Sequence, residues 1–208
     1  MGTRVVGIDV GGERKGYHAV LLCDGKFKDK ISDGDPKVIA KWCNKNKAAV
    51  VAVDAPCQWS MTGRSRSAER ELNKKEIRCF YSPMRKLALK SSFYDWMFNG
   101  ERLYKALAAH YHLYKGKRSR GPVCMETFPH AIVCTLNPDI KSAKNKNKTR
   151  RDVLMKRGIE TSCLSNIDLV DAALCAVAAD CFRVGDFKPY GDALEGYIVV
   201  PNEISRRS

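Results

Sequence analysis

Short apolar runs alternate with polar breaks through the first 54 residues, in a rhythm that suits strands better than helices. Val5, Val6 and Ile8 make residues 4–10 an apolar, β-branched segment that reads as a buried strand. GGERKG then reads as a turn, and Tyr17 to Cys23 as a second strand. Asp24-Gly25 is a hairpin signal, so a third strand is predicted from Lys26 to Ile31. Pro36 stands near a helix start, and Val38, Ile39 and Trp42 fall at helical spacing through Lys45. The run Ala48 to Val53 is apolar without alternation, ends on Asp54 and is broken by Pro56. A run so short suits a strand buried on both faces.

Beyond residue 57 the pattern changes. GRSRSAERELNKK combines a loop with a basic helix, CFYSP ends it, and a helical pattern follows from Tyr94 to Tyr114. Its aromatic residues, Trp96, Phe98, Tyr104, Tyr111 and Tyr114, read as core rather than as base-stacking groups. A basic loop, KGKRSRG, leads to the strand VCMETF and the apolar PHAIVCTL. KSAKNKNKTRR is the most polar stretch and reads as mobile. SNIDLVDAALCAVAADCF is a helix, and GYIVVP is a late strand. These elements give a mixed α/β fold. If the first and fourth strands are both central, they lie side by side. The helical crossover makes them parallel, with carboxyl ends at one sheet edge, where α/β sites form.

Composition narrows the class. A chain of 208 residues fits one domain, with a basic helical insertion at about 57–120, and 44% hydrophobic and 29% charged residues exclude a disordered polymer. No apolar run reaches membrane-span length, and the N-terminus lacks a signal-peptide pattern. Nine cysteines without a CxxC pair, several inside apolar runs, imply a reducing, cytoplasmic setting and no zinc site. The net charge of +14 is unevenly placed: residues 1–60, 61–158 and 159–208 carry +3, +15 and −4. A positive field concentrated in the middle favours a polyanionic partner, nucleic acid above all. No membrane partner is expected. Oligomeric state is not fixed by the pattern, and a homodimer stays open.

The acids mark the candidate chemistry. Asp9 and Asp54 each end an apolar strand, where an ionised carboxylate is costly unless paired, hydrated or metal-bound. Asp9 alone fits a turn, the border of a phosphate cradle or a metal ligand; Asp54 alone fits an Asp-Ala-Pro turn. In IDLVDAAL, Asp168 and Asp171 are three residues apart and share one helix face. Ser165 and Asp168 also fit a capping box, which gives Asp168 a second explanation. After Asp171 the helix is small and apolar, so it can lie close to a sheet and bring Asp171 towards the strand acids. Three or four convergent carboxylates make a hard oxygen site suited to one or two Mg²⁺ or Mn²⁺ ions.

GIDVGGERKGY is similar to the opening D-x-G-x-x-x-x-G-Y of the RuvC-like branch of the RNase H fold, and IDLVDAALCAVAA resembles that branch's closing helix. VDAP, GRSRSAEREL, METFPHA and GYIVVP resemble an uncharacterised family of predicted RNase H-like nucleases, over nearly the whole chain. The resemblance implies a mixed five-stranded sheet flanked by helices, with a helical insertion and a late extra strand. It also implies metal-dependent phosphodiester hydrolysis, with Asp9, Asp54, Asp168 and Asp171 as ligands. RuvC nucleases usually place a glutamate on the fourth strand, where this chain has the shorter Asp54. An additional acid, Glu126, either completes the metal shell, faces substrate, or is a buried, lysine-paired structural group. His130, beside Pro129, is a weaker candidate for proton transfer or leaving-group orientation.

Candidate phosphate contacts are Arg64, Arg66, Arg70, Lys74 and Lys75, and, in the polar stretch, Lys144, Lys146, Lys148, Arg150 and Arg151. Such contacts position a polymer without reading its sequence. Two other classes remain open beside the nuclease. One is a non-catalytic nucleic-acid-binding module on the same scaffold. The other is an actin-like nucleotide-phosphate-binding enzyme, whose usual second domain this chain is too short to contain.

Overall fold

A computed structural model describes residues 2–117, 120–140 and 145–202. In chain order its elements are β1 (Arg4–Val10), β2 (Tyr17–Cys23), β3 (Lys26–Asp33), α1 (Pro36–Lys45), β4 (Val50–Asp54), α2 (Ser67–Lys74) and α3 (Arg85–Ala88). They continue with a 3₁₀ turn (Ser92–Tyr94), α4 (Asp95–Leu107), β5 (His112–Leu113), β6 (Val123–Glu126), α5 (Pro129–Leu136) and α6 (Lys146–Lys156). The chain then forms α7 (Ile167–Val184), β7 (Phe187–Asp192) and β8 (Gly196–Pro201).

The sheet order is β3-β2-β1-β4-β6-β8-β7, with β5 pairing on β6. β1, β2 and β3 are antiparallel, whereas β4, β6 and β8 run parallel to β1. The first five strands of that order, with α1 crossing over between β3 and β4, form an RNase H-like core. α1 starts where the sequence predicts: Asp35 caps it by accepting from Lys37 N, and Pro36 fills a first-turn position that needs no donor.

Alternation along the strands feeds two cores. Val6, Ile8, Leu21, Val51 and Val53 pack with Ile39 and Cys43 of α1 and Leu103 and Leu107 of α4. Val5, Val20, Val50, Ala52 and Met125 pack beneath α7. The two glycine-and-alanine surfaces meet here: a Cβ on Gly7 would lie 2.1 Å from the Ala172 carbonyl oxygen and the Ala176 nitrogen. Only glycine permits that approach, and the small residues of α7 are its other half.

Four expectations are corrected. The helix predicted to Tyr114 stops at Leu107, and His112–Leu113 leave it to pair with β6. The polar stretch predicted as mobile contributes the start of α6, held by Arg150, Val153 and Leu154 at its buried side; residues 141–144 lie outside the described residues. The described sheet has eight strands rather than five and a late one, because β5 pairs on β6 and β7 pairs antiparallel with β8 across its full length. Asp168 is not the partner of a Ser165 cap: α7 is capped by Asn166, whose side chain accepts from Leu169 N. No described helix is long and apolar enough to cross a membrane.

Candidate functional site

Asp9 and Asp54 are register partners at the carboxyl ends of two parallel strands. Adjacent strands lie about 4.8 Å apart, and partners in parallel register point to the same face. That face is the one on which Val5, Val50 and Ala52 meet α7. Gly7, two residues before Asp9, touches the helix at Ala172 and Ala176, so the preceding turn of α7 stands over the strand ends. That turn carries Asp168 and Asp171. All four carboxylates, with Glu126, line one cavity of about 1230 Å³.

The helix acids are matched by cations. Lys15, from the β1–β2 hairpin, donates to Asp168 at 3.0 Å, and His18 Nε2 lies 3.8 Å from the same carboxylate. Asp171 is buried and receives Arg150 and, at 3.2 Å, Lys146, both from α6. Among the described residues no ion pair ends on Asp9 or Asp54. Burial, reinforced by the nearby Asp168 charge, pushes the Asp9 carboxyl up to about 7, against the pull of Lys146, Lys15 and Arg150. Burial and the Asp9 charge likewise raise Asp54 well above the usual carboxylate range. Two carboxyls side by side and largely desolvated resist joint ionisation, so they share a demand for positive charge. Burial lowers Lys146 and Arg150, with mutual repulsion adding to the effect on Lys146.

Glu126 has a different part. Arg66 meets it through both terminal nitrogens, at 2.8 and 2.5 Å, and Cys57 N donates to it at 2.8 Å. Arg66 Nε reaches Glu69 at 2.9 Å, and Glu69 also accepts from Ser82 N and Arg66 N. The structural alternative for Glu126 therefore takes an arginine instead of a lysine, and its oxygens are already engaged. Arg66, 1% exposed, is correspondingly no surface phosphate contact; its guanidinium is committed to internal carboxylates.

The remaining candidates divide by location. Arg150 and Lys146 are in the cavity, as is His130 on α5, whose ring lies 3.7 Å from Cys134 Sγ. Burial, with Arg150 and Lys146 nearby, lowers the His130 pKa and favours the neutral ring. Arg151 donates to the Thr161 and Leu164 carbonyls, anchoring the loop before α7 instead of facing a polymer. Arg70 reaches the Ser65 carbonyl and Glu195. Arg64, Lys74, Lys75 and Lys148 are exposed and outside the cavity, and Lys144 lies outside the described residues.

Residues 7–195 match the family described as "Protein of unknown function (DUF429)". The chain belongs to DUF429. No curated protein matches this DUF429 member. Among solved structures it is similar to T. thermophilus RuvC in complex with a Holliday junction substrate. That similarity is at 16% identity and a TM-score of 0.47, covering 88% of this chain and 96% of the other.

Whether a divalent ion suits the DUF429 site depends on its donors. Four carboxylates line one cavity, and the two at the strand ends, Asp9 and Asp54, lack a paired cation among the described residues; this donor chemistry fits a hard ion. The donors are not preassembled: among the described residues no three His, Cys, Asp or Glu side chains form a group that could hold a metal as they stand. Arg150 and Lys146 occupy Asp171, while Lys15 and His18 flank Asp168. Sequence reasoning missed Lys15 and His18. They sit on a hairpin, and neither spacing nor periodicity links them to an acid 150 residues away.

Proposed function

We propose that this DUF429 member hydrolyses phosphodiester bonds in nucleic acid at the carboxylate cavity. The observation carrying the reading is the in-register pair Asp9 and Asp54, facing Asp168 and Asp171 across a cavity that also contains Lys15, Lys146 and Arg150. Asp9 and Asp54 would hold one or two Mg²⁺ or Mn²⁺ ions, completed by Asp168 and Asp171 when their lysine and arginine partners yield. A bound divalent ion would supply Lewis acidity, for water activation and for charge on the leaving oxygen.

The protein's own residues have separable tasks. Asp9 and Asp54, fixed at strand ends, set the position of the reacting centre within a rigid sheet. Lys15, Lys146 and Arg150, freed from the helix acids, attract and orient the phosphate backbone. Neutral His130 is available to accept or relay a proton at its ring nitrogen. Since the cations contact backbone rather than base edges, little sequence preference is expected.

The test is cleavage of labelled single-stranded, duplex, hybrid and branched substrates with Mg²⁺ or Mn²⁺. Asp9→Asn should lower the rate about 1,000-fold, since several kcal/mol of transition-state stabilisation depend on the metal's placement. Cleavage that survives Asp9→Asn unchanged overturns the site. A second reading, a non-catalytic nucleic-acid-binding protein, is favoured by the ion pairs already formed on Asp171 and Asp168. Salt-sensitive binding without cleavage under either ion would select it.

A further inference from the structure

The cavity has a second wall that the carboxylate chemistry does not use. It comes from the connection between β4 and β6 and includes Arg78, Phe80, Phe93 and Trp96. Phe80 is 64% exposed and Phe93 55%, although a large apolar ring in contact with water is normally a candidate for burial. The rings form a cluster: Phe80 lies 5.7 Å from Phe93 at 69° and 6.4 Å from Trp96 at 62°, measured between centroids. These steep, edge-on contacts gather the rings while Phe80 and Phe93 stay more than half exposed. Trp96, read from sequence as core, is half-buried: it packs against the core that holds Leu103 and Leu107 and also lines this wall.

An aromatic wall and a floor of charges in one cavity call for a ligand with both a planar π-face and an anionic group. An aliphatic or lipid occupant would use the rings but would be set against Asp9, Asp54, Lys146 and Arg150. A closed duplex would offer phosphates, but its bases are already stacked on each other. An unpaired nucleotide satisfies both sides: its base stacks on the rings while its phosphate lies towards the cations.

We infer that Phe80, Phe93 and Trp96 form a stacking subsite for unpaired nucleobases, so that the substrate enters the cavity as single-stranded nucleic acid. This rests on the proposed nucleic-acid reading of the same cavity. It adds the strandedness of the substrate, which the carboxylates alone do not specify.

The experiment is equilibrium binding in EDTA, where no hydrolysis occurs. The probes are a labelled oligonucleotide, the same oligonucleotide fully paired, and a version with abasic sites. Wild-type protein should bind the single strand at least about 10-fold more tightly than either control. Phe80→Ala with Phe93→Ala should weaken single-strand binding by about 5- to 150-fold per stacked base, leave duplex binding unchanged, and be rescued by tryptophan at position 80. Because both rings are exposed, an unchanged unfolding midpoint should confirm the fold. Equal affinity for the abasic and intact strands overturns the inference, as does equal weakening of single strand and duplex. The two readings fail separately. Stacking-dependent binding without metal-dependent cleavage retains the subsite and removes the nuclease. Cleavage with no preference for unpaired bases does the reverse.

Discussion

Asp9→Asn is expected to raise the thermal unfolding midpoint at pH 8 while lowering the proposed hydrolysis about 1,000-fold. The folded protein holds the Asp9 carboxyl near 7, whereas an unfolded chain releases that proton near 4. Between those values the native state binds more protons than the unfolded one, so this group makes stability fall as pH rises from about 4 to about 7. Above 7 both states are ionised and the full cost persists. Asparagine keeps the shape, removes the charge and relieves Asp54, which the Asp9 charge also raises. The gain should be on the order of 2–4 kcal/mol in EDTA at pH 8, or about 5 °C or more for a chain of this size. It should shrink steadily towards pH 4. Calorimetric scans of both proteins at pH 4.5, 6 and 8 read it. A gain independent of pH, or destabilisation at pH 8, would contradict the electrostatic account. A buried pair that lowers stability but stays in place is the pattern expected of a functional site.

Arg66→Met should be the most destabilising substitution in the β4–β6 connection. Arg66 neutralises Glu126 and Glu69 at once, all three being nearly inaccessible to water. Removing it leaves two buried carboxylates with backbone donors but no counter-charge, and breaking such buried pairs costs about 3–5 kcal/mol. The network also fixes topology. Glu126 ends β6, Cys57 N donates to it from just beyond β4, and Arg66 opens α2. Arg66→Met should therefore lower the midpoint of urea unfolding substantially, and the double variant with Glu126→Gln should recover part of the loss. No recovery would mean that the arginine acts through packing, since its long stem also fills space. A near-neutral Arg66→Met would contradict its assignment as the internal counter-charge.

Local patterns disclosed the frame of the site. β1 and β4 announce themselves as apolar runs ending on an acid, and the α1 crossover makes them parallel, so the sequence alone places Asp9 and Asp54 side by side. Asp171 was legible for a related reason: the alanine-rich face after it suits only a close helix–sheet contact, and Gly7 is the surface it meets. α6 escaped, because KNKTRRDVLMK has little apolar periodicity and buries Arg150 beside only Val153 and Leu154. Its effect on the site is electrostatic and long-range in sequence, and binary patterning carries no such signal. β7 escaped because FKPYGD contains both proline and glycine, tolerable in a strand at the sheet edge. The Arg66–Glu126 pair spans 60 residues, and charge alone made Arg66 resemble its exposed neighbours.

The central claim is that Asp9 and Asp54 are a divalent-ion site, and titration of Mn²⁺ tests it most directly. The signal of free Mn²⁺ is followed by electron paramagnetic resonance in wild-type protein and in the Asp9→Asn/Asp54→Asn double variant. The account predicts that wild type removes one or two ions per chain from solution and that the double variant removes none at the same concentrations. Equal Mn²⁺ uptake by the two proteins, or none by either, would contradict it.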